Sequence, residues 1–166
     1  GAQLSTAIAA LNSQDAIDLV RAGEMAAAMS IEALRGVSRA FHPEVHQLRP
    51  YKGAIDCAAN LMTLMAGSNL LDSVPEKVQD AYTLRCTPQV LGAVRDSIDF
   101  VCKQITIELN AATDNPLILL NVETEDLIDP ENKAFSAGMF HGEPVGMAMD
   151  TLKIAVSEMA SLSERR

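Results

Sequence analysis

The chain has 166 residues, 48% of them hydrophobic and 4% aromatic, and its 13 Lys and Arg against 22 Asp and Glu give a formal net charge of −9. This length suits one domain, and the hydrophobic fraction is too high for a disordered chain. The acidic balance argues against nucleic acid and anionic membranes as partners. Because no stretch is long and apolar enough to span a membrane and no signal segment is present, we expect a cytoplasmic protein.

Apolar residues recur at helical spacing in four stretches. The first runs from Ser13 to Val37, where Ser13 suits an N-cap, and the second from Ala54 to Ala66. The third runs from Pro88 to Asn110 and the fourth from Glu143 to the end of the chain. The pattern predicts an all-α fold over 1–166: a bundle of long antiparallel helices.

The connections between these helices carry turn residues. We expect a loop over Phe41–Gly53 and another over Gly67–Pro75, whereas Val78–Leu84 has room for two helical turns. Residues 117–133 combine a short aliphatic run with an acidic segment, which predicts an irregular or hairpin excursion. The chain has no initiator Met and closes within a helical pattern, so we expect a segment of something larger.

Three groups of residues raise the question of a metal site. His42 and His46 would share one face of a helix, but no third ligand is implied, and a solvated loop is the alternative. His141 and Glu143 form the His-x-Glu of zinc deaminases without the Cys pair that such sites need. The three cysteines are widely spaced and fit buried thiols rather than a disulfide framework or a metal site. We therefore expect no metal.

Gln79, Tyr82 and Arg85 lie three residues apart, so a helix would place an amide, a phenol and a guanidinium in one neighbourhood. A cation one turn away favours the ionised form of a phenol, and Arg can bind a carboxylate with two parallel hydrogen bonds. The alternative is a helix end whose polar groups cap their neighbours. Cys86 has no nearby His to serve as its base, so we expect an inert thiol.

Two later segments also carry polar or small residues. Asp114 and Asn115 precede Pro116 and predict a structural turn. The loop Ser136–Phe140 leads into the last helix, and its free N–H groups could face an anion or another ligand.

Taken in order, four motifs resemble the aromatic amino acid ammonia-lyase family, and within it the histidine branch. They are Val78-Gln-Asp-Ala-Tyr-Thr-Leu-Arg-Cys86, Ala112-Thr-Asp-Asn-Pro-Leu117, Phe140-His-Gly-Glu-Pro-Val145 and Ser161-Leu-Ser-Glu-Arg-Arg166. The resemblance spans essentially the whole chain and implies a helical homotetramer whose active sites are each assembled from three subunits. It also implies elimination of ammonia from L-histidine to give urocanate.

The resemblance assigns roles to four residues. Arg85 resembles the arginine that binds the substrate carboxylate, and Tyr82 resembles a tyrosine that assists proton transfer. Gln79 resembles the glutamine beside the prosthetic group, and Phe140 the phenylalanine packed against it. That group, methylidene-imidazolone, forms in the family from an internal Ala-Ser-Gly, which this chain does not contain. We therefore expect the segment alone to be inactive.

The chain also departs from the family pattern. Met139 stands where the family usually has Asn, and Tyr51-Lys-Gly-Ala54 replaces the usual His-Pro-Gly-Gln. Two alternatives stay open: a phenylalanine or tyrosine ammonia-lyase or aminomutase on the same scaffold, and a non-catalytic helical oligomerisation module. Retention of the four site residues argues against the second.

Overall fold

The computed structural model describes residues 1–120 and 133–166 and consists mainly of helices. The helices are α1 (Ala2–Ala33), a 3-10 helix (Ser38–Phe41), α2 (Pro43–Gln47), α3 (Lys52–Leu64), α4 (Tyr82–Arg85), α5 (Thr87–Leu109) and α6 (Glu143–Glu164). The predicted all-α class is confirmed, and the predicted bounds of the helices at 88–110 and 143–166 are close to those observed.

Helix α5 lies at the centre of the bundle, and α1 and α6 both run antiparallel to it. Glu24 of α1 contacts Arg95 of α5, while Ile17, earlier in α1, lines the same surface cavity as Cys102, later in α5. The core between these helices is aliphatic. Its α5 members are Leu91, Val94, Ile98, Val101 and Ile105. The scarcity of aromatic residues in the sequence is therefore matched by a core of branched aliphatic side chains.

Helix α1 begins eleven residues before the predicted start. The prediction of Ser13 as an N-cap is wrong: its side chain is buried inside the helix, and its hydroxyl donates to the carbonyl of Ala9 at 2.7 Å. A serine within a helix can satisfy its hydroxyl on the preceding turn in this way. The same residue type therefore serves at a cap and inside a helix, and only the structure distinguishes the two positions.

Helices α3 and α5 cross at two glycines. A Cβ on Gly92 would lie 2.4 Å from the Cα and N of Ala54, and a Cβ on Gly53 would lie 2.1 Å from the carbonyl oxygen of Gly92. The two backbones are in contact, which only glycine permits at these positions. The amide of Gly53 also donates to Oδ1 of Asp96 at 2.8 Å.

Two predicted connections differ from the structure. The expected loop over Phe41–Gly53 contains α2 between the last residue of the 3-10 helix and the first two residues of α3. Helix α2 forms because Pro43 occupies its first turn and His42 caps it. The two helical turns allowed over Val78–Leu84 shrink to α4, which begins only at Tyr82, because the ψ angle of 153° at Ala81 is not helical.

The predicted excursion forms a short antiparallel pair of strands, β1 (Leu117–Ile118) and β2 (Ala134–Phe135). Residues 121–132, which carry most of the acidic segment, lie outside the described residues.

Several large apolar side chains of α1 are exposed on this chain. They follow one face at spacings of four and three residues: Leu4, Ile8 and Leu11, and further along Met25 and Met29. Within 1–120 and 133–166, no helix combines the length and hydropathy that crossing a membrane requires.

Candidate active site

The segment that carries Gln79, Tyr82 and Arg85 has no regular structure up to Ala81 and is helical from Tyr82 onward. Only Tyr82 and Arg85 therefore share a helical turn, and the expectation of one helix holding all three residues is wrong for Gln79. Gln79 precedes α4 in this irregular stretch and is exposed. The three residues still occupy one neighbourhood, since six positions separate the first from the last.

Tyr82 and Arg85 have opposite exposure. The Tyr82 side chain is 71% exposed. Arg85 is partly buried, and its Nε is fully buried with no hydrogen-bond partner among the described residues. An unpaired buried donor is costly, so such a guanidinium favours an acceptor that comes from outside this chain. Cys86, the C-cap of α4, is partly buried and free.

Helix α4 is fixed between the start of α5 and the end of α6. Thr83 Oγ1 donates to the carbonyl of Leu162 at 3.3 Å, and Thr87 Oγ1 donates to the carbonyl of Thr83 at 3.0 Å. Leu84 is buried in the core. The short helix therefore presents Tyr82 outward while its neighbours hold it in place.

Phe140 lies at the opposite end of the bundle. It precedes Glu143, the first residue of α6, whereas Leu162 near the end of α6 contacts Thr83. At 1.5 Å per residue, Glu143 and Leu162 are about 28 Å apart. Within one chain the structure brings Gln79, Tyr82 and Arg85 together and keeps Phe140 far from them.

The loop of Phe140 is held by the predicted turn. Asn115 Oδ1 accepts a hydrogen bond from the amide of Ala137 at 2.8 Å, and Asp114 Oδ1 accepts one from the amide of Asn115 at 2.8 Å. The Asn115–Pro116 bond is cis. Both polar side chains of the predicted turn thus bind backbone amides, a structural role. The Phe140 ring is 56% exposed and free to contact a group from outside the chain.

His42 and His46 have structural roles. Nδ1 of His42 accepts the amide of Glu44 at 3.3 Å and caps α2. His46 is buried, and its Nε2 lies 3.1 Å from the carbonyl oxygen of Ala40, which can only accept, so this nitrogen carries the proton. The solvated-loop alternative is wrong for His46. In the described part of the chain, no three His, Cys, Asp or Glu residues are grouped to hold a metal ion.

The departure at Tyr51–Ala54 falls at the start of α3. Tyr51 stacks under the guanidinium of Arg49 at 5.2 Å and helps to line a cavity of about 300 Å³ between α2, α3 and α5. None of the four predicted site residues lines this cavity.

Sequence reasoning missed two buried acids. Glu24 accepts hydrogen bonds from Arg95 at 2.8 Å and from Asn60 at 2.9 Å, and Asp80 lies in the segment between Gln79 and Tyr82. Glu24 could have been found, because it falls on the apolar face of α1 between Val20 and Ala27. Asp80 lies outside the helices, so no helical spacing in the sequence marks it as buried.

Cys57 lies against Glu24 in this buried cluster. Burial, the charge of Glu24 and a hydrogen bond to Glu24 together raise the pKa of the Cys57 thiol far above its ordinary value. Burial also raises the pKa of Cys102, assisted by Asp99. Both thiols are therefore kept in the protonated, poorly nucleophilic form.

The profile of the family described as "Aromatic amino acid lyase" matches residues 1–166. The chain belongs to this family. It is 49% identical over 167 residues to the histidine ammonia-lyase of Alkaliphilus oremlandii, and the match covers all of this chain and 31% of that enzyme. The chain thus spans about a third of the length of the curated relatives that it matches.

Solved structures show the same fold. The histidine ammonia-lyase of Trypanosoma cruzi has a TM-score of 0.83 and 38% sequence identity, covering 99% of this chain and 28% of that one. Tyrosine aminomutase from Streptomyces globisporus has a TM-score of 0.84 and 34% identity, covering 97% of this chain and 33% of that one. The helical arrangement is therefore shared across the family.

Proposed function

We propose that the natural protein carrying this chain eliminates ammonia from L-histidine to give urocanate, and that this chain contributes substrate-binding and proton-transferring side chains. The observation that carries the proposal is Arg85, a partly buried guanidinium with an unpaired buried Nε one helical turn from an exposed phenol. The 49% identity to a histidine ammonia-lyase supports histidine as the substrate.

Arg85 binds the substrate carboxylate in this proposal. A guanidinium and a carboxylate form two parallel charge-assisted hydrogen bonds, which fix the orientation of the amino acid as well as its position. Fixing the carboxylate places the β-carbon of the substrate at a set distance from Tyr82. As a phenolate, Tyr82 would accept the proton that leaves that carbon, and the resulting phenol would hand it on.

The family's methylidene-imidazolone group would supply the electron sink that makes ammonia a leaving group. The residues of this chain fit contact with such a planar group, because the Phe140 ring and the Gln79 amide are both exposed. Phe140 would pack against the group, and Gln79 would hydrogen-bond beside it. The precursor Ala-Ser-Gly does not occur in these 166 residues, so the segment alone should be inactive.

We further propose that each active site draws on more than one copy of the chain, in a homotetramer. Tyr82 and Phe140 lie near opposite ends of α6, where Glu143 and Leu162 are about 28 Å apart, and they cannot contact one small substrate within one chain. The exposed apolar side chains of α1 support burial against partner helices, because exposed apolar surface favours association.

The test is to assay the purified natural protein with L-histidine, L-phenylalanine and L-tyrosine, following unsaturated acid by near-ultraviolet absorbance and β-amino acid by chromatography. We expect urocanate from histidine and little product from the others. Cinnamate, coumarate or a β-amino acid as the main product would replace the proposal with the sister lyase or aminomutase activity, which the likeness to tyrosine aminomutase makes the alternative.

Arg85→Ala in the same protein separates catalysis from a purely structural role. We expect the assembly to stay intact. The fall in kcat/KM should correspond to about 2–5 kcal/mol of lost transition-state stabilisation, the cost of removing one member of a buried charge pair. Unchanged kinetics would contradict the carboxylate role. No turnover of any aromatic amino acid by the natural protein would favour the non-catalytic oligomerisation module.

A further inference from the structure

Asp80 is a buried carboxylate in a segment that is otherwise exposed. It follows Gln79 and precedes α4, yet its side chain is 1% exposed. Oδ2 accepts the amide of Val37 at 2.7 Å, and Oδ1 lies 2.5 Å from Nζ of Lys77. The carboxylate thus joins the segment before α4 to the chain that follows α1.

Lys77 extends this connection to the end of α1. Its Nζ donates to the carbonyl oxygens of Leu34 and Arg35 at 3.0 and 3.2 Å. The last carbonyls of a helix have no partners within the helix, and a cation there also interacts favourably with the helix dipole. Asp80 balances the charge of Lys77, so the acid, the lysine and the end of α1 form one unit.

Gly36 lies next to the carboxylate of Asp80. A Cβ on Gly36 would lie 3.2 Å from Oδ2 of Asp80 and 2.9 Å from the carbonyl oxygen of Ile31. The carboxylate therefore packs directly against backbone. Asp72 fastens the same corner nearby, since its amide donates to the carbonyl of Gly36 at 2.9 Å and its Oδ1 accepts the amide of Ser38 at 2.8 Å.

We propose that Asp80 is a positioning residue for catalysis, which sets the place of Gln79 and Tyr82 by fixing the backbone between them to the end of α1. The inference rests on the proposed function of those two residues. Neither the Gln79 amide nor the Tyr82 hydroxyl is hydrogen-bonded to a side chain in the described ranges, so the fixed backbone is what locates them. A displacement of about 1 Å in a catalytic group costs on the order of 100-fold in rate.

The test uses the natural protein with Asp80→Asn and Asp80→Ala, and with Asp72→Asn as the matched control. Asn keeps an acceptor for the Val37 amide but does not neutralise Lys77, whereas Ala removes both contacts. We expect kcat to fall about 10- to 100-fold with Asp80→Ala and less with Asp80→Asn, with a smaller change in KM and unchanged oligomer mass. Asp72→Asn retains its acceptor and should keep kcat within about twofold of wild type.

Repeating Asp80→Asn and Asp80→Ala in a Tyr82→Phe background separates positioning from general loosening. If Asp80 acts through Tyr82, the two effects on residual kcat should be strongly non-additive, and Asp80 variants should cost little once the phenol is gone. If the fold-changes in kcat of the Asp80 and Tyr82 substitutions simply multiply in the double variant, the inference is overturned. An unchanged kcat with Asp80→Ala would overturn it as well. Asp80→Asn serves the same comparison if the Ala variant fails to fold.

Hydrogen exchange gives a second readout that does not depend on turnover. We expect faster exchange in peptides spanning 37–41 and 74–86 of Asp80→Asn, with α5 and α6 unchanged. Exchange that rises equally along the whole chain would overturn the positioning role. If Tyr82→Phe leaves kcat unchanged while exchange rises only in these peptides, the proposed role of Tyr82 is wrong.

Discussion

Glu24 and Arg95 form a buried ion pair between α1 and α5, with Oε1 of Glu24 lying 2.8 Å from Nη1 of Arg95. Asn60 of α3 donates to the other carboxylate oxygen at 2.9 Å. One acid therefore satisfies donors from two helices at once, and the three longest elements that precede α6 meet at its carboxylate.

Replacing Glu24 by Ala should be strongly destabilising. It leaves Arg95 and Asn60 without an acceptor in a buried place, and breaking a buried pair by removing one partner costs about 3–5 kcal/mol. Arg95 is partly exposed, so we expect the lower end of this range. The measurement is the thermal midpoint at fixed protein concentration and scan rate.

Asp18→Ala is the matched control on the same helix. Asp18 pairs with Arg21 at 3.0 Å, but both side chains are largely exposed, and such pairs contribute about 0–1 kcal/mol. Equal losses of thermal midpoint in the two variants would contradict the importance assigned to the buried acid.

Cys57 should make the protein less stable in alkaline solution. Because the pKa of this thiol is raised in the folded state above its ordinary value near 9, the unfolded chain loses the proton first as pH rises. Its contribution to stability is fully present below about pH 9 and declines by about 1.4 kcal/mol per pH unit above it, until the folded pKa is reached.

Cys57→Ser isolates this effect, since a hydroxyl can still donate to Glu24 but does not ionise in this range. Thermal midpoints measured between about pH 8 and 10.5 should fall more steeply for the wild type than for the serine variant. If the thermal midpoints of the two proteins fall in parallel with pH, ionisation of Cys57 does not cause the loss of stability.

Gly92→Ala should displace α3 from α5. The added Cβ would lie 2.4 Å from backbone atoms of Ala54, which cannot rotate away as a side chain could. We expect a loss of about 3 kcal/mol or more, the upper end of the cost of overpacking. For Gly146→Ala on α6, the Cβ meets nothing within 4 Å, and the gain in helix propensity should leave the thermal midpoint unchanged or higher.

Mixing inactive chains should restore activity if the site is shared. Co-expression of Tyr82→Phe chains with Phe140→Ala chains, followed by tandem affinity purification of mixed oligomers, should give more turnover than either variant alone. Some sites then receive a wild-type Tyr82 from one chain and a wild-type Phe140 from another. Tyr82→Phe with Gln79→Ala is the control, because both residues belong to one segment and no complete site forms. Absence of recovery in verified mixed oligomers would contradict a shared site.

The long helices could be predicted because their signals are local. Pro88 and Pro144 lie in the first turns of α5 and α6, and the apolar spacing that follows each of them matches the buried faces. The start of α1 at Ala2 could not be predicted, because Ser13 is of a residue type that commonly caps helices. Its hydroxyl instead bonds to the previous turn, a choice that depends on the burial of the whole helix.

The residues of the candidate site stay a prediction, and their arrangement could not be predicted from the sequence. Tyr82 and Arg85 share a turn as expected, whereas Gln79 is not helical. The Asp80 carboxylate accepts the amide of Val37, 43 residues away in sequence, and a contact over this separation leaves no local pattern. The separation of Phe140 from Tyr82 follows from the antiparallel packing of α6 on α5, which no local pattern encodes.

The span of about 28 Å between Glu143 and Leu162, which keeps Phe140 away from Tyr82, also bears on inheritance. If every catalytic centre takes Arg85 from one copy and Phe140 from another, a chain with one of these defects spoils one centre, whereas a chain with both defects spoils two. A cell with one normal and one doubly defective gene copy would then retain less than half of its activity. An allele defective at Arg85 alone should only halve the activity, like an allele that makes no chain.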